Sequence, residues 1–216
     1  MKRKKQSGID LILFDLGGVL IEHAGMPALI RWTKGRLKKD EIWRYWLLSP
    51  VVRKFESGQC TPDEFADAIV EELKLQITPA EFLSEFSGWP KGIYPGADEL
   101  LRSLKKVRLG TLCNTNEIHW NKYRTFGLLD YFKYHFISHL NGLAKPDLIA
   151  FRNVVSLTNI PPERILFLDD NQLNVTGAMA AGMTAYRVNG ASCARAKLEE
   201  LGVIKKAGSC DTRPDC

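Results

Sequence analysis

Ile9-Asp10-Leu11-Ile12-Leu13-Phe14-Asp15-Leu16-Gly17-Gly18-Val19-Leu20 is the stretch whose reading decides the fold. The apolar run ending at Phe14 has the continuous hydrophobicity of a parallel strand buried on both faces. Asp15 then emerges into a glycine-loosened turn. In open α/β sheets ligands bind at the carboxyl ends of the strands, and glycine lets backbone approach a ligand closely. This is where a carboxylate nucleophile belongs. Taken alone, the stretch also fits a solvated Asp in a strand-to-loop turn, because turns favour Asp and Gly.

Outward from this strand the α/β alternation stops. Residues 21–89 read as helical and aromatic-rich, with no good strand candidate, and so as an inserted module. Glu41-Ile42-Trp43-Arg44-Tyr45-Trp46-Leu47-Leu48 has apolar residues at helical spacing. Thr61-Pro62-Asp63-Glu64 and Thr78-Pro79-Ala80-Glu81 each place Thr at an N-cap, Pro at the first helical position and Glu three residues on. Pro/Gly punctuation around Trp89-Pro90 and Tyr94-Pro95-Gly96 marks the return to the core. Strands are then expected at 108–112, 135–138, 165–168 and 184–188, and helices at 97–106, 118–125, 146–157, 175–181 and 194–201. The fold class expected is α/β: a Rossmann-like, doubly wound parallel sheet with an inserted all-helical cap. The core comprises residues 1–20 and 93–216, and the cap residues 21–92.

Composition fits this reading. The 216 residues are 45% hydrophobic and 25% charged, as in ordinary globular proteins. No apolar stretch approaches the roughly 20 residues of a membrane helix. Of the net charge of +5, four charges sit in Lys2, Arg3, Lys4 and Lys5. We read these as a solubilising tail rather than a nucleic-acid arm or the start of a signal peptide, since Asp10 and Asp15 interrupt the apolar run behind them. Five cysteines without metal-ligand spacing point to reduced thiols and a cytoplasmic setting, although Cys210 and Cys216 could pair.

Three further clusters fall at expected strand ends. Cys113-Asn114-Thr115-Asn116 can hold an oxyanion. Lys145, before a proline suited to opening a helix, can present an ammonium at the cleft. Asp169 and Asp170 follow the apolar run Ile165-Leu166-Phe167-Leu168 and form a hard-cation site, since Mg²⁺ wants oxygen ligands.

In this order, Phe14-Asp15-Leu16-Gly17-Gly18-Val19-Leu20, Leu112-Cys113-Asn114-Thr115-Asn116, Lys145-Pro146-Asp147 and Phe167-Leu168-Asp169-Asp170-Asn171 resemble the four motifs of the haloacid dehalogenase-like hydrolase superfamily. The likeness is greatest to phosphatases related to glucose-1-phosphatase and to the phosphatase domain of soluble epoxide hydrolases. It implies a Mg²⁺-dependent phosphatase acting on a small phosphorylated substrate such as a sugar phosphate, as a monomer or homodimer without nucleic-acid or membrane partners. Asp15 would be the nucleophile, forming an aspartyl-phosphate, with Lys145 as its catalytic partner. Asp15, the Gly17 carbonyl and Asp170, with Asp169 in support, would hold the metal. Gly17, Gly18, Cys113, Asn114, Thr115 and Lys145 would hold the phosphate.

Two positions depart from the family pattern. Gly17 stands where the general acid/base Asp is usual, and Cys113 where Ser or Thr is. The alternatives are a binding-only member and a 2-haloacid dehalogenase. Phosphomutase activity is disfavoured by Gly17, and a response-regulator receiver is excluded by motif order. His119 is expected to be structural or near the cleft mouth. In the cap, Arg31, Lys34, Arg36, Lys38, Lys39, Trp43, Tyr45 and Trp46 are candidates for substrate contact, against a solvated basic face and a packed aromatic core.

Overall fold

A computed structural model describes residues 8–34, 36 and 38–205, with the side chains of Met26, Lys39, Asp40 and Trp43 excepted. The N-terminal basic cluster, Cys210 and Cys216 lie outside the described residues. In chain order the elements are β1 (Leu11–Phe14), β2 (Ile21–His23), α1 (Gly25–Trp32), α2 (Lys39–Leu48), α3 (Pro50–Glu56), α4 (Pro62–Glu72), α5 (Pro79–Ser87) and β3 (Pro90–Ile93). There follow α6 (Ala97–Ser103), β4 (Arg108–Cys113), α7 (Glu117–Tyr123), β5 (Tyr134–Ile137), α8 (Ser138–Asn141) and α9 (Leu148–Thr158). The last are β6 (Ile165–Asp169), α10 (Gln172–Ala180), β7 (Thr184–Arg187) and α11 (Gly190–Glu200).

Five strands form one parallel sheet in the order β5-β4-β1-β6-β7. Central β1 is buried at every position because side chains alternate between two cores. Ile12 and Phe14 pack with Leu100, Leu101 and Leu198 from α6 and α11. Leu11 and Leu13 pack on the other face with Phe151, Val154 and Val175 from α9 and α10. Helices thus cover both faces, as a doubly wound sheet requires.

The expectation that residues 21–89 hold no strand is corrected. Ile21–His23 pairs antiparallel with Pro90–Ile93, so a two-stranded ribbon carries the chain out of the sheet layer and back. Three residues are too few to show a period-2 pattern. Between the two strands, α1 to α5 surround a separate apolar cluster in which Phe55 and Phe65 stack at 4.2 Å. Both anticipated capping boxes form. Thr61 Oγ1 accepts from Glu64 N at 3.3 Å, and Thr78 Oγ1 accepts from Glu81 N at 3.2 Å.

The helix expected from Pro146 begins only at Leu148, with Asp147 as its N-cap. Asn114 is the reason. Its Nδ2 donates to the Lys145 carbonyl and its Oδ1 accepts from Lys145 N, both at 2.8 Å, which fixes the preceding loop. The all-reduced reading of the cysteines also changes: Cys60 and Cys113 are free thiols, whereas Cys193 is disulfide-bonded. Among the described residues no helix is long and apolar enough to cross a membrane.

Candidate active site

The β1–β6 register sets Phe14 opposite Leu168, and Asp15 N continues the pairing with a 2.9 Å bond to the Leu168 carbonyl. Two carboxylates therefore leave neighbouring strand ends side by side. Asp15, Asp169 and Asp170 each present an oxygen within 4.8 Å of the others'. Lys145, 1% exposed, reaches between them, with Nζ 2.7 Å from Asp169 Oδ2 and 3.1 Å from Asp15 Oδ1. Asp169 is pinned further by Asn174 Nδ2, 3.1 Å from both of its oxygens, and by Asn171 N at 2.8 Å. Asp169 is thus a buried anchor, while Asp15 and Asp170 line the open cavity.

The charges do not balance. Three carboxylates face one buried ammonium. Burial raises the Asp15 carboxyl to about 6, Lys145 pulling it down and Asp169 pushing it up. Lys145 alone therefore does not hold Asp15 in the ordinary carboxylate range. Burial, then Asp169 and Asp15, raise Asp170 to about 8. Burial acts to lower the Lys145 pKa, but Asp15 and Asp169 outweigh it and hold the ammonium charged. A hard divalent cation fits this donor set: it takes oxygen ligands and offsets the excess negative charge.

Gly18 adopts φ +75°, and a Cβ there would lie 2.2 Å from Asp170 Oδ2, so only glycine fits beneath that carboxylate. A Cβ on Gly17 would stand 3.3 Å from the Tyr123 hydroxyl. That phenol thus borders the space a side chain at position 17 would enter. Thr115 lines the cavity, and its Oγ1 is buried without a hydrogen-bond partner among the described residues. Such an unspent donor suits an incoming oxyanion. Cys113 does not line the cavity; its thiol lies 3.5 Å from the Asn114 carbonyl, and burial raises its pKa well above the usual thiol range. Asn114 lines it, with its amide also committed to the Lys145 backbone.

The cavity above these groups holds about 340 Å³, and the helical segment lines one side of it. Trp46, Leu47, Phe86 and Trp89 supply its apolar wall. Of the basic cap candidates, Arg31, Lys34, Arg36 and Lys38 do not line it, and the Lys39 and Trp43 side chains lie outside the described residues. Arg31 instead pairs with Glu85, and Arg36 donates to the carbonyls of Leu73 and Lys74. Tyr45 is exposed, away from the cavity. His119 is buried and lines the cavity, stacked on Phe86 at 4.1 Å with Nε2 2.8 Å from the Phe86 carbonyl. Burial lowers its pKa to about 3 and that of neighbouring His23 to about 4. Sequence reasoning missed Glu56, His23, Tyr123 and Arg187, which all line the cavity. Nothing local sets these apart; Glu56 and His23 enter with the helical segment and its ribbon, and Tyr123 and Arg187 with α7 and the end of β7.

A profile of the haloacid dehalogenase-like hydrolase family matches residues 9–182. The chain belongs to that family. Among relatives of this haloacid dehalogenase-like hydrolase, acyl-CoA dehydrogenase family member 10 of Mus musculus is 25% identical over 94% of the chain. The chain spans only 20% of that protein's length. Sesquiterpene phosphatase AstK of Aspergillus oryzae is 25% identical, covering 88% of this chain and 94% of its own. A crystal structure of a family enzyme from Bacteroides thetaiotaomicron, in complex with magnesium and inorganic phosphate, is 29% identical. It superposes with a TM-score of 0.64 over 84% of this chain and 94% of its own. The hydrolase assignment and the Rossmann-like fold both stand on these matches.

Proposed function

We propose that this hydrolase is a Mg²⁺-dependent phosphatase of small organophosphate monoesters. The observation that carries the reading is the ensemble at the β1 and β6 ends: Asp15 beside Lys145, with Asp170 and Asp169 in reach of one ion. Asp15, the Gly17 carbonyl and Asp170 would hold Mg²⁺, with Asp169 in support. When bound, the ion would stabilise charge on the phosphoryl oxygens. Asp15 attacks phosphorus and carries the phosphoryl group as an aspartyl-phosphate until water releases it, which divides one displacement into two. Lys145 and the Thr115 hydroxyl neutralise and orient the transferring group, with Asn114 fixing the Lys145 loop. Residues 21–92 act as a cap that excludes bulk water.

The cap wall also bears on the leaving group. Trp46, Phe86, Trp89 and Leu47 offer mostly apolar surface, and among the described residues no cap cation lines the cavity. This favours the phosphate of an aromatic or isoprenoid alcohol over a sugar phosphate, in keeping with the name of the Aspergillus oryzae relative. A dehalogenase would use Asp15 similarly, but it gives the acidic pair Asp169-Asp170 no role.

Phosphate release from aryl, prenyl, anomeric-sugar and alkyl phosphates, with Mg²⁺ or EDTA, tests the reading. The expected outcome is Mg²⁺-dependent turnover that falls to background in Asp15→Asn. Turnover in EDTA equal to that in Mg²⁺, or an active Asp15→Asn, would contradict it.

A further inference from the structure

With glycine at position 17, the leaving group needs another proton source. Several lining groups are poorly suited. His119 has Nε2 bonded to the Phe86 carbonyl and Nδ1 facing Asn116 Nδ2 at 3.3 Å. Lys145 is committed to Asp169 and Asp15. Burial, with neighbouring negative charge, holds the Tyr123 phenol well above its usual range, so it gives up a proton reluctantly. Glu56, the last residue of α3, is half-buried in the same cavity and, among the described residues, is the only acidic cap residue lining it.

Its placement is over-determined. Arg53, one turn earlier on α3, forms an ion pair with Asp147, two residues beyond Lys145. Gly58, two residues later, is so close to the sheet layer that a Cβ there would lie 2.4 Å from the His139 carbonyl. Glu56 is therefore bracketed by two contacts with the core. The Trp46 indole N–H acts to lower the pKa of its carboxylate. Charged and titratable groups facing it are Lys145, Asp15, Tyr123 and, on its own helix, Arg53.

We propose that Glu56 is the catalytic acid and base that position 17 does not supply. The inference rests on the phosphatase reading. In the first half-reaction Asp15 Oδ bonds to phosphorus, the bond from phosphorus to the leaving oxygen breaks, and that oxygen takes the Glu56 proton. In the second, the Glu56 carboxylate takes a proton from water as the water oxygen bonds to phosphorus. The Asp15–phosphorus bond breaks, inorganic phosphate leaves and Glu56 is protonated again. A group near neutrality serves both halves. Burial, then Asp15, raises Glu56 to about 7 against the pull of Lys145, Trp46 and Arg53.

The test compares wild type and Glu56→Gln on p-nitrophenyl phosphate and on an alkyl phosphate of similar size, across pH. Expected is a loss of about 10²–10⁴-fold in kcat/KM, which reports the leaving-group step, on the alkyl ester. On the nitrophenyl ester, whose leaving group needs no proton, the loss should stay below about tenfold, since acid catalysis contributes little there. The alkaline limb of the alkyl profile should vanish. Equal losses of kcat/KM on both esters, or an unchanged limb in its pH profile, overturn the proposal. Should Glu56→Gln not fold, Trp46→Phe removes the indole donor while keeping a ring. It should move the limb to higher pH, and a stationary limb overturns the proposal equally. A wild type that releases phosphate from neither ester overturns the phosphatase reading and this inference with it, whereas equal losses leave the reading intact.

Discussion

Lys145 shows how much one buried charge can hold together. Its ammonium is the shared counter-ion of Asp15 and Asp169, and its backbone is clamped by Asn114. Removing one partner of a buried pair strands the other's charge, at a cost of about 3–5 kcal/mol. Lys145→Met should lose stability of that order in chemical denaturation with EDTA present, and Mg²⁺ should restore part of it. At Gly17 the hydroxyl of Tyr123 crowds an added side chain. Gly17→Asp should therefore gain activity only with Tyr123→Phe, measured as alkyl phosphate turnover of the single and double variants. The clustering of Asp15, Lys145, Asp169 and Asp170 was legible in the sequence because each follows a buried run or precedes a marked turn. The nearness of Glu56 and Tyr123 was not, because it depends on where distant elements pack.

Among the elements, α3 has the greatest leverage for its length. It contributes Phe55 to the apolar cluster of the cap, Arg53 to the ion pair with Asp147, and Glu56 to the cavity. Gly58→Ala must push this segment away from His139 and also strains a residue at φ +72°. We expect kcat on an alkyl phosphate to fall tenfold or more, by analogy with the sensitivity of rate to small misplacements. The melting temperature should change by only a few degrees, as about 1 kcal/mol does in a protein of this size. An unchanged kcat would show that α3 does not set the position of the acid. Element positions in the sheet layer were readable to within a few residues. The strands β2 and β3 were not, since three or four residues are too few to carry a periodicity.

For the whole molecule, the buried titratable groups set opposing pH limits. His23 and His119 have folded pKa values of about 4 and 3, below the ordinary 6.5. Their contribution is present above about 6.5 and is lost as pH falls toward 4, because the unfolded chain then binds more protons. Asp15 and Asp170 are raised to about 6 and 8. Their contribution is present below the ordinary carboxylate range near 4 and is lost as pH rises through 6 to 8. Without a divalent cation, thermal stability should peak between those limits, near pH 5–6. Mg²⁺ at about 100 times its neutral-pH Kd should add about 2.7 kcal/mol there, and the same concentration should add less at acid pH, where the carboxylates are protonated. A flat profile in EDTA would refute this balance. The two-sided sheet was legible because β1 alternates between two cores. The composition of the cavity was not, because it combines strand ends and loops of the sheet layer with side chains from a segment that has its own apolar cluster.

The ribbon has a consequence for how such a molecule can be altered. Ile21 faces Ile93 and Glu22 faces Gly92, so the point where the chain departs and the point where it returns are hydrogen-bonded neighbours. A long excursion spliced between them leaves the strand order untouched, because its ends are already closed. The same junction makes a natural graft site. Replacing residues 24–89 with an Asn-Gly turn would convert the ribbon into a plain hairpin. Other lids could be transplanted there, exchanging what covers the reactive carboxylate while the sheet that carries it stays the same.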